Sequence, residues 1–349
     1  MVSAGGGSDE AVGGEAGSAA RPEVGQAQAG SETTVASPPC TSRRREVVGT
    51  LFFGLVFLGV GWAVLKNRDS FVATIHDVGV WGVLVSLGFG LVGVGATGMQ
   101  WRAVLAGLGV RLRTREALRV YFVSQLGKYL PGSVWPIVMQ MEAGREHGAS
   151  RRSMLAGNVI TLVLGLASGL VLAGILLPFS SPEALRRFWW ALAALPLIVL
   201  LALPRTLPFV LDRLLALLRR EPLGVQMTTP ATLRAVAWAT LSWVGLGLSL
   251  AVLSTAVGGF SASLVALSIG GMGLAVSAGV LFIPAPAGAG LRELVLGLVL
   301  VAVVTSGQAV AVVVASRVLL IVVDVILAGG AAVAGRLAAR SRVIPSVRS

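Results

Sequence analysis

Long runs of apolar residues, separated by short polar segments, dominate the sequence from residue 46 onward. About twenty such residues cross the hydrocarbon core of a bilayer as a helix, so runs of this length predict transmembrane spans. Six full spans are predicted, at residues 46–65, 78–101, 153–177, 188–203, 233–257 and 310–334. The fourth of these spans is short and ends at Pro204.

Two further apolar regions are interrupted near their middle by proline and glycine. Region 117–141 contains Leu-Pro-Gly-Ser at 130–133 and a second proline at 136, and region 264–304 contains Pro-Ala-Pro-Ala-Gly-Ala-Gly at 284–290. Proline removes a backbone donor and glycine loosens a helix, so each region is predicted to form two half-helices joined by exposed backbone.

The distribution of Lys and Arg predicts on which side of the membrane each connecting segment lies. Segments 43–45, 102–119, 142–152, 204–234 and 335–349 hold 20 basic residues together, whereas 66–77, 178–187, 258–263 and 305–309 hold 4. Basic segments stay in the cytoplasm. This alternation is possible only if region 117–141 enters and leaves on the cytoplasmic side, as a re-entrant hairpin. Region 264–304 starts and finishes on the outer side, as a second hairpin or as two short full spans.

The predicted order is therefore span, span, hairpin from inside, span, followed by span, span, hairpin from outside, span. Two halves with the same order and opposite orientation form an inverted repeat, which is typical of secondary transporters whose interrupted helices meet near the midplane. The predicted fold class is an all-α integral membrane protein with six spans and two opposed hairpins. We expect a polytopic domain at 43–340 between a disordered tail at 1–42 and a short cytoplasmic tail at 341–349.

Composition agrees with a membrane protein. Of the 349 residues 55% are hydrophobic and only 13% are charged, and the mean hydropathy is +0.84. Soluble domains have about 25% charged residues. The net charge of +12 would suggest a nucleic-acid partner in a soluble protein, but here the basic residues follow the topology and no basic aromatic face accompanies them. We expect no nucleic-acid partner.

Ionisable residues inside the apolar regions are the strongest candidates for a functional site, because each costs about 2.5–3.5 kcal/mol to insert. They are Lys128, Arg292, Glu293, Arg317 and Asp324. We expect Glu293 to pair with Arg317 and Arg292 with Asp324, which assigns no carboxylate to Lys128. The sum of +1 would favour an anionic headgroup, and half-helix N-termini after each break would add donors for phosphate.

A structural explanation of the same residues stays open. The pairs could only lock helices together, with Lys128 extending to the cytoplasmic surface. Tyr129 and Trp135, beside the first break, could equally be interfacial anchors.

Signatures of enzymes are weak. The two histidines stand outside the predicted spans, and no metal-binding, nucleophile or phosphate-loop motif accompanies them. Asp69, His76 and Asp77 lie in a predicted outer loop, where membrane glycosyltransferases carry acidic residues, but an ordinary solvated loop is favoured. We expect no catalytic activity, no metal and no cofactor.

The two broken regions resemble a known family. The run Gln-Leu-Gly-Lys-Tyr-Leu-Pro-Gly-Ser-Val-Trp at 125–135 and the run Ile-Pro-Ala-Pro-Ala-Gly-Ala-Gly-Leu-Arg-Glu at 283–293 are similar to the signature regions of the lysylphosphatidylglycerol synthase transmembrane family. This is the flippase-type membrane region of the bacterial multiple peptide resistance factor, which is also found as stand-alone proteins. The resemblance extends from residue 45 to about residue 340, and an extra Pro-Ala in the second run departs from the usual pattern.

The resemblance implicates particular residues in binding the transported lipid. They are Lys128, Pro131, Gly132 and Trp135 in the first run, and Pro284, Gly288, Gly290, Arg292 and Glu293 in the second. Members of the family are credited with moving aminoacylated phosphatidylglycerol between leaflets, while a separate soluble domain attaches the amino acid. This chain ends 15 residues after its last predicted span, so we expect it to lack that domain.

The resemblance implies a flippase or transporter of an anionic phospholipid or lipid-linked intermediate in the cytoplasmic membrane, with both termini in the cytoplasm. Stand-alone members often accompany cell-surface glycosyltransferases, so the cargo could be a lipid-linked sugar. The alternatives are a non-transporting partner of a glycosyltransferase and, third, a membrane glycosyltransferase.

Overall fold

The computed structural model describes residues 68–129, 135–146, 148–180, 182–203, 227–281 and 290–343, together with 206, 209, 212 and 213. The predicted tail at 1–42, the predicted span at 46–65 and the tips of both broken regions lie outside the described residues. Of the predicted short tail at 341–349, only residues 341–343 are described.

The described part of the chain is almost entirely helical and contains no strand. The helices are α1 (Arg68–Gly107), α2 (Thr114–Gln125), α3 (Trp135–Glu146), α4 (Arg151–Leu176), α5 (Pro182–Ala202), α6 (Thr229–Gly258), α7 (Ala262–Leu281), α8 (Leu291–Leu300) and α9 (Ser306–Val343). Short 3-10 turns follow α2, at Leu126–Tyr129, and α4, at Pro178–Ser180.

Among the described residues, 5 helical segments are long and apolar enough to cross a membrane: His76–Gly107, Arg151–Ser180, Thr229–Gly258, Ala262–Val280 and Ser306–Gly335. Four of them match predicted spans. The fifth belongs to α7, in the region predicted as the second hairpin. Of the other two predicted spans, 46–65 lies outside the described residues, and 188–203 coincides with α5 over most of its length. These apolar helices indicate that the chain is a multi-pass membrane protein.

The antiparallel pair of α1 and α6 forms the centre of the bundle. Ser86 Oγ donates to the carbonyl oxygen of Ser249 at 2.8 Å, and further along the pair the backbones of Gly93 and Gly245 meet. A Cβ atom added to Gly93 would lie 2.7 Å from the backbone nitrogen of Leu246. Small residues of this kind allow membrane helices to approach closely, since apolar lipid provides no hydrophobic force between helices.

The other helices exchange partners between the two halves of the chain. In the first half, α4 packs against α6 and α7 of the second half. In the second half, α9 correspondingly packs against α1 and α2 of the first. Within each half, α3 contacts α4 and α8 contacts α9. The two halves of the chain therefore contact each other through helices at corresponding places in their order, and the predicted inverted repeat stays a prediction.

The first broken region leaves and returns at one end of the bundle. Leu112, before α2, and Ala149, after α3, belong to one buried cluster with Trp101 and Met154. The residues on either side of the region therefore pack into the same cluster. The two arms, α2 and α3, have 12 residues each, or about 18 Å of helix, which is too short to cross a bilayer.

The second broken region is also closed at one end, but its arms are unequal. Leu264 and Val304 lie in one buried cluster with Leu253 at the C-terminal part of α6. Its first arm, α7, has 20 residues and its second, α8, has 10. The first arm is therefore long enough to span a membrane alone, which fits the arrangement of full spans that the sequence left open. The arrangement of the region as a hairpin stays a prediction.

The close approach of α1 and α6 predicts a difference between two glycines of α1. Gly93→Ala should lower the free energy of unfolding by about 1–3 kcal/mol, because the new methyl group would overlap the backbone of α6. Gly95→Ala is the matched control, since a Cβ there has no atom within 4 Å. Unfolding of both variants in the same detergent micelle measures the difference. Equal stability of the two variants would contradict the close approach.

Candidate functional site

A cavity of roughly 250 Å³ lies between the two halves of the bundle. Its walls come from α1, α2, α4, α6, α7, α8 and α9, and from the 3-10 turn at Leu126–Tyr129. Four of its lining residues belong to the charged types Lys, Arg and Asp: Lys128, Arg292, Arg317 and Asp324. A cavity with a mostly apolar wall and a few convergent polar groups is the usual form of a small-ligand site.

Lys128 from the first broken region pairs with Asp324 of α9. Its Nζ lies 2.6 Å from Asp324 Oδ2, and the side chains are 32% and 6% exposed respectively. Our prediction assigned no carboxylate to Lys128 and is wrong on this point. Pairing by position along separate segments could not detect a contact that depends on how α2 packs against α9.

Glu293 of the second broken region pairs with Arg317 of α9, as predicted. The distance from Arg317 Nε to Glu293 Oε1 is 3.6 Å. The other carboxylate oxygen of Glu293 accepts a hydrogen bond of 2.7 Å from the backbone N–H of Gly290, directly before α8. Gly290 has a backbone φ of +88°, in the left-handed region that favours glycine. We expected the backbone N–H groups at the start of α8 to bind phosphate, but the N–H of Gly290 is bonded to Glu293 instead.

Arg292 reaches the cavity from the start of α8. Its Nη2 donates to the thioether sulfur of Met272 at 3.4 Å, a weak acceptor that a phosphate oxygen could replace. The predicted pairing of Arg292 with Asp324 stays a prediction.

Helix α9 therefore provides the counter-charge for both broken regions. Arg317 and Asp324 are seven residues apart, on one face of the helix and about 10 Å from each other along its axis. Each pair joins a broken region to α9 and also borders the cavity. The sequence left two alternatives for these residues, to lock helices together or to form a site. In the structure the same residues join helices and border the cavity.

Comparison with known proteins identifies the chain's family. The family model described as the lysylphosphatidylglycerol synthase TM region matches residues 47–328. The chain belongs to this family. No curated protein shows a significant match to the chain. In this member of the lysylphosphatidylglycerol synthase transmembrane family, the matched range includes both broken regions and every ionisable residue that lines the cavity.

Several predicted site residues lie away from the cavity or outside the described residues. Pro131, Gly132, Pro284 and Gly288 belong to the tips that the structure does not describe, and for Tyr129 only the backbone is described. Trp135 begins α3 and is 45% exposed, and it does not line the cavity. The interpretation of Trp135 as an interfacial anchor therefore stays open.

The sequence analysis missed the neutral polar residues of the cavity. They are Thr97, Gln100, Tyr121, Gln125 and Ser242. We searched the apolar regions for ionisable side chains only, and a search for amides and hydroxyls in the same regions would have included these five. Two hydrogen bonds hold side chains of the cavity wall in place. Gln100 Nε2 donates to the carbonyl oxygen of Thr161 at 2.9 Å, and Trp243 Nε1 donates to the carbonyl oxygen of Gly165 at 2.8 Å.

The pair of Lys128 and Asp324 predicts strong coupling in a double-mutant cycle. Asp324→Leu alone should lower the free energy of unfolding by about 3 kcal/mol, because it leaves an ammonium group in the cavity without this carboxylate. Adding Lys128→Met should restore much of that loss. The exposed pair of Glu142 and Arg145, at 62% and 54% exposure, is the control and should couple by less than about 1 kcal/mol. If the losses in the free energy of unfolding caused by Asp324→Leu and by Lys128→Met simply added in the double variant, the pair would not be stabilising.

Proposed function

We propose that this protein moves a lipid with a phosphate-bearing headgroup between the leaflets of the cytoplasmic membrane. One observation supports this above all: charged residues of both broken regions meet α9 around a cavity that both halves of the chain enclose. A headgroup that crosses about 30 Å of hydrocarbon needs polar partners on its way, whereas the acyl chains can stay in the bilayer.

In the proposed topology the chain has six spans and two re-entrant hairpins that enter from opposite faces, with both termini in the cytoplasm. The short arms α2, α3 and α8 support hairpins rather than crossings, and the closed ends of the two regions support entry from opposite faces. For the second region the length of α7 also permits a full span followed by a half-helix. The proposed location in the cytoplasmic membrane follows from the family resemblance.

The proposed role of the cavity is binding without chemistry. Arg292, Lys128 and Arg317 offer donors to phosphate oxygens, and charge-assisted hydrogen bonds of this type are the strong ones. The amides and hydroxyls of Gln100, Gln125 and the other neutral lining residues would contact the rest of the headgroup. In this proposal the protein needs no metal or cofactor, and the drive comes from a gradient or from consumption of the lipid on the far side.

Lipid exchange in proteoliposomes tests the proposal directly. The wild-type protein should move a fluorescent phosphatidylglycerol to the outer leaflet, where a membrane-impermeant quencher detects it. Lys128→Ala and Glu293→Gln should slow this exchange by about tenfold or more, because each removes a group that holds charge in the cavity. Arg145→Gln is the control, since Arg145 pairs with Glu142 on the exposed part of α3.

Retention of wild-type exchange rates in both cavity variants would contradict transport through this cavity. Absence of exchange in every variant, including the wild type, would favour the second candidate, a non-transporting partner of a membrane glycosyltransferase. Thermal unfolding of each variant distinguishes lost transport from lost folding.

Cysteine labelling tests the proposed topology. In a Cys40→Ser background, Arg113→Cys and Arg145→Cys should react with an impermeant maleimide only from the cytoplasmic side, because both flank the first hairpin. Ser261→Cys and Thr305→Cys, which flank the second, should react only from the outer side. Labelling of positions 113 and 145 from opposite sides would show a single crossing between them and overturn the hairpin.

A further inference from the structure

A second cavity, of roughly 220 Å³, lies between the two arms of the first broken region. We call it the arm groove. Its lining residues belong to α2 and α3: Glu116, Arg119, Val120, Val123, Ser124, Met139 and Ala143. None of these residues lines the cavity between the two halves of the bundle. The arm groove is therefore a separate site, which the proposed transport does not use.

The arm groove has a charged end and a closed end. Glu116 and Arg119 lie near the start of α2, in the basic segment 102–119. Eight residues beyond Glu116, or about 12 Å along the helix, lies Ser124. Its Oγ accepts a hydrogen bond of 2.9 Å from Gln140 Nε2 of α3. This buried hydrogen bond joins the two arms and closes the inner end of the groove.

Opposite charges stand side by side at the charged end. Residues three positions apart on a helix are neighbours, with about 5–6 Å between their Cβ atoms. Glu116 and Arg119 are such neighbours, and no salt bridge joins these two described side chains. A ligand with one anionic and one cationic group, separated by a short link, can therefore contact both residues.

Helix α9 holds Arg119 in its position. A Cβ atom added to Gly335 would lie 2.6 Å from Arg119 Cδ and 3.1 Å from its Nη1. The side chain of Arg119 thus packs directly on the backbone of α9, because glycine at 335 leaves room for it. The guanidinium group is placed at the charged end by this contact.

The chemistry of the two charged groups defines the ligand. A guanidinium group binds phosphate oxygens through two parallel hydrogen bonds, and a carboxylate accepts hydrogen bonds from an ammonium group. Next to the charges, Val120, Val123 and Met139 form an apolar wall. Met139 is 39% exposed, so this wall can be reached from outside the bundle. A charged head followed by an apolar chain matches this order of groups.

We propose that the arm groove binds a zwitterionic membrane lipid whose phosphate and primary ammonium groups are separated by a short link, as in an ethanolamine headgroup. Arg119 binds the phosphate and Glu116 the ammonium. This ligand differs from aminoacylated phosphatidylglycerol, in which a glycerol and an ester separate the two groups. The second site goes beyond the proposed function, and only the assignment of its lipid to the cytoplasmic leaflet depends on the proposed topology.

Protection of a cysteine in the arm groove measures its occupancy. In a Cys40→Ser background, Met139→Cys places a thiol on the groove wall. Val138→Cys is the matched control, since Val138 is 44% exposed and does not line the groove. The rate of reaction with a small maleimide is measured in detergent micelles that contain increasing fractions of phosphatidylethanolamine, phosphatidylglycerol or phosphatidylcholine.

Phosphatidylethanolamine should protect position 139 at an about tenfold lower fraction than the other two lipids. The reason is that phosphatidylglycerol has no ammonium group and that the choline ammonium has no N–H to donate to Glu116. Position 138 should react at the same rate with every lipid.

Variants of the two charged residues test their separate roles. Glu116→Gln should remove the preference for phosphatidylethanolamine, and Arg119→Gln should weaken protection by all three lipids about tenfold. Arg115→Gln is the control, because Arg115 is an exposed cation of α2 outside the groove lining.

A substitution in α9 moves Arg119 without changing any charge. Gly335→Ala should weaken protection as Arg119→Gln does, because the new methyl group would overlap the arginine side chain. Gly330→Ala is its control, since a Cβ atom there has no atom within 4 Å.

Equal protection by the three lipids, or a preference for phosphatidylethanolamine that survives Glu116→Gln, would overturn the inference. Protection by soluble glycerophosphoethanolamine at the same concentration would also overturn it, since the site would then bind a free zwitterion. Ala143→Cys, a second position in the lining, provides the same test if Met139→Cys fails to fold. Lipid exchange is not measured in this assay, so failure of the proposed function and failure of this inference are distinguishable.

Discussion

A charged side chain in the interior of a bilayer requires a counter-charge, and in this protein α9 supplies one to each broken region. Asp324 pairs with Lys128 from the first region, and Arg317 pairs with Glu293 from the second. Because Asp324 and Arg317 lie two turns apart on one helix, the broken regions are brought to neighbouring positions. The polar cavity between the halves is a consequence of that arrangement, since both pairs border it.

Close approach of the full-length helices is the second constraint on the bundle. Gly93 and Gly245 allow α1 and α6 to meet at backbone distance, and Gly273 of α7 similarly meets Gly169 of α4, where an added Cβ would lie 2.5 Å from a carbonyl oxygen. The large number of glycines in the chain thus has a packing role at these positions. Close packing in turn holds the short arms of the broken regions against full-length helices, which cover their backbone.

Membership of the lysylphosphatidylglycerol synthase transmembrane family is consistent with this architecture but does not define the cargo. The family description covers residues 47–328, and the charges that would contact a headgroup all lie inside that range. Under the proposed function, a headgroup would be recognised by these charged residues together with the neutral polar residues that line the cavity.

The sequence by itself determined most of the apolar helices, because a run of apolar residues long enough to span a membrane is a property of local composition. The side on which the basic segments lie stays a prediction. It also identified the five ionisable residues and one of their pairs, Glu293 with Arg317. Only the tertiary structure decided that Lys128 meets Asp324, that Tyr121 and Gln100 share their cavity, and that α7 is longer than a half-helix. Contacts between residues 196 positions apart, such as Lys128 and Asp324, depend on how separate helices pack, and periodicity along one helix carries no information about its neighbours.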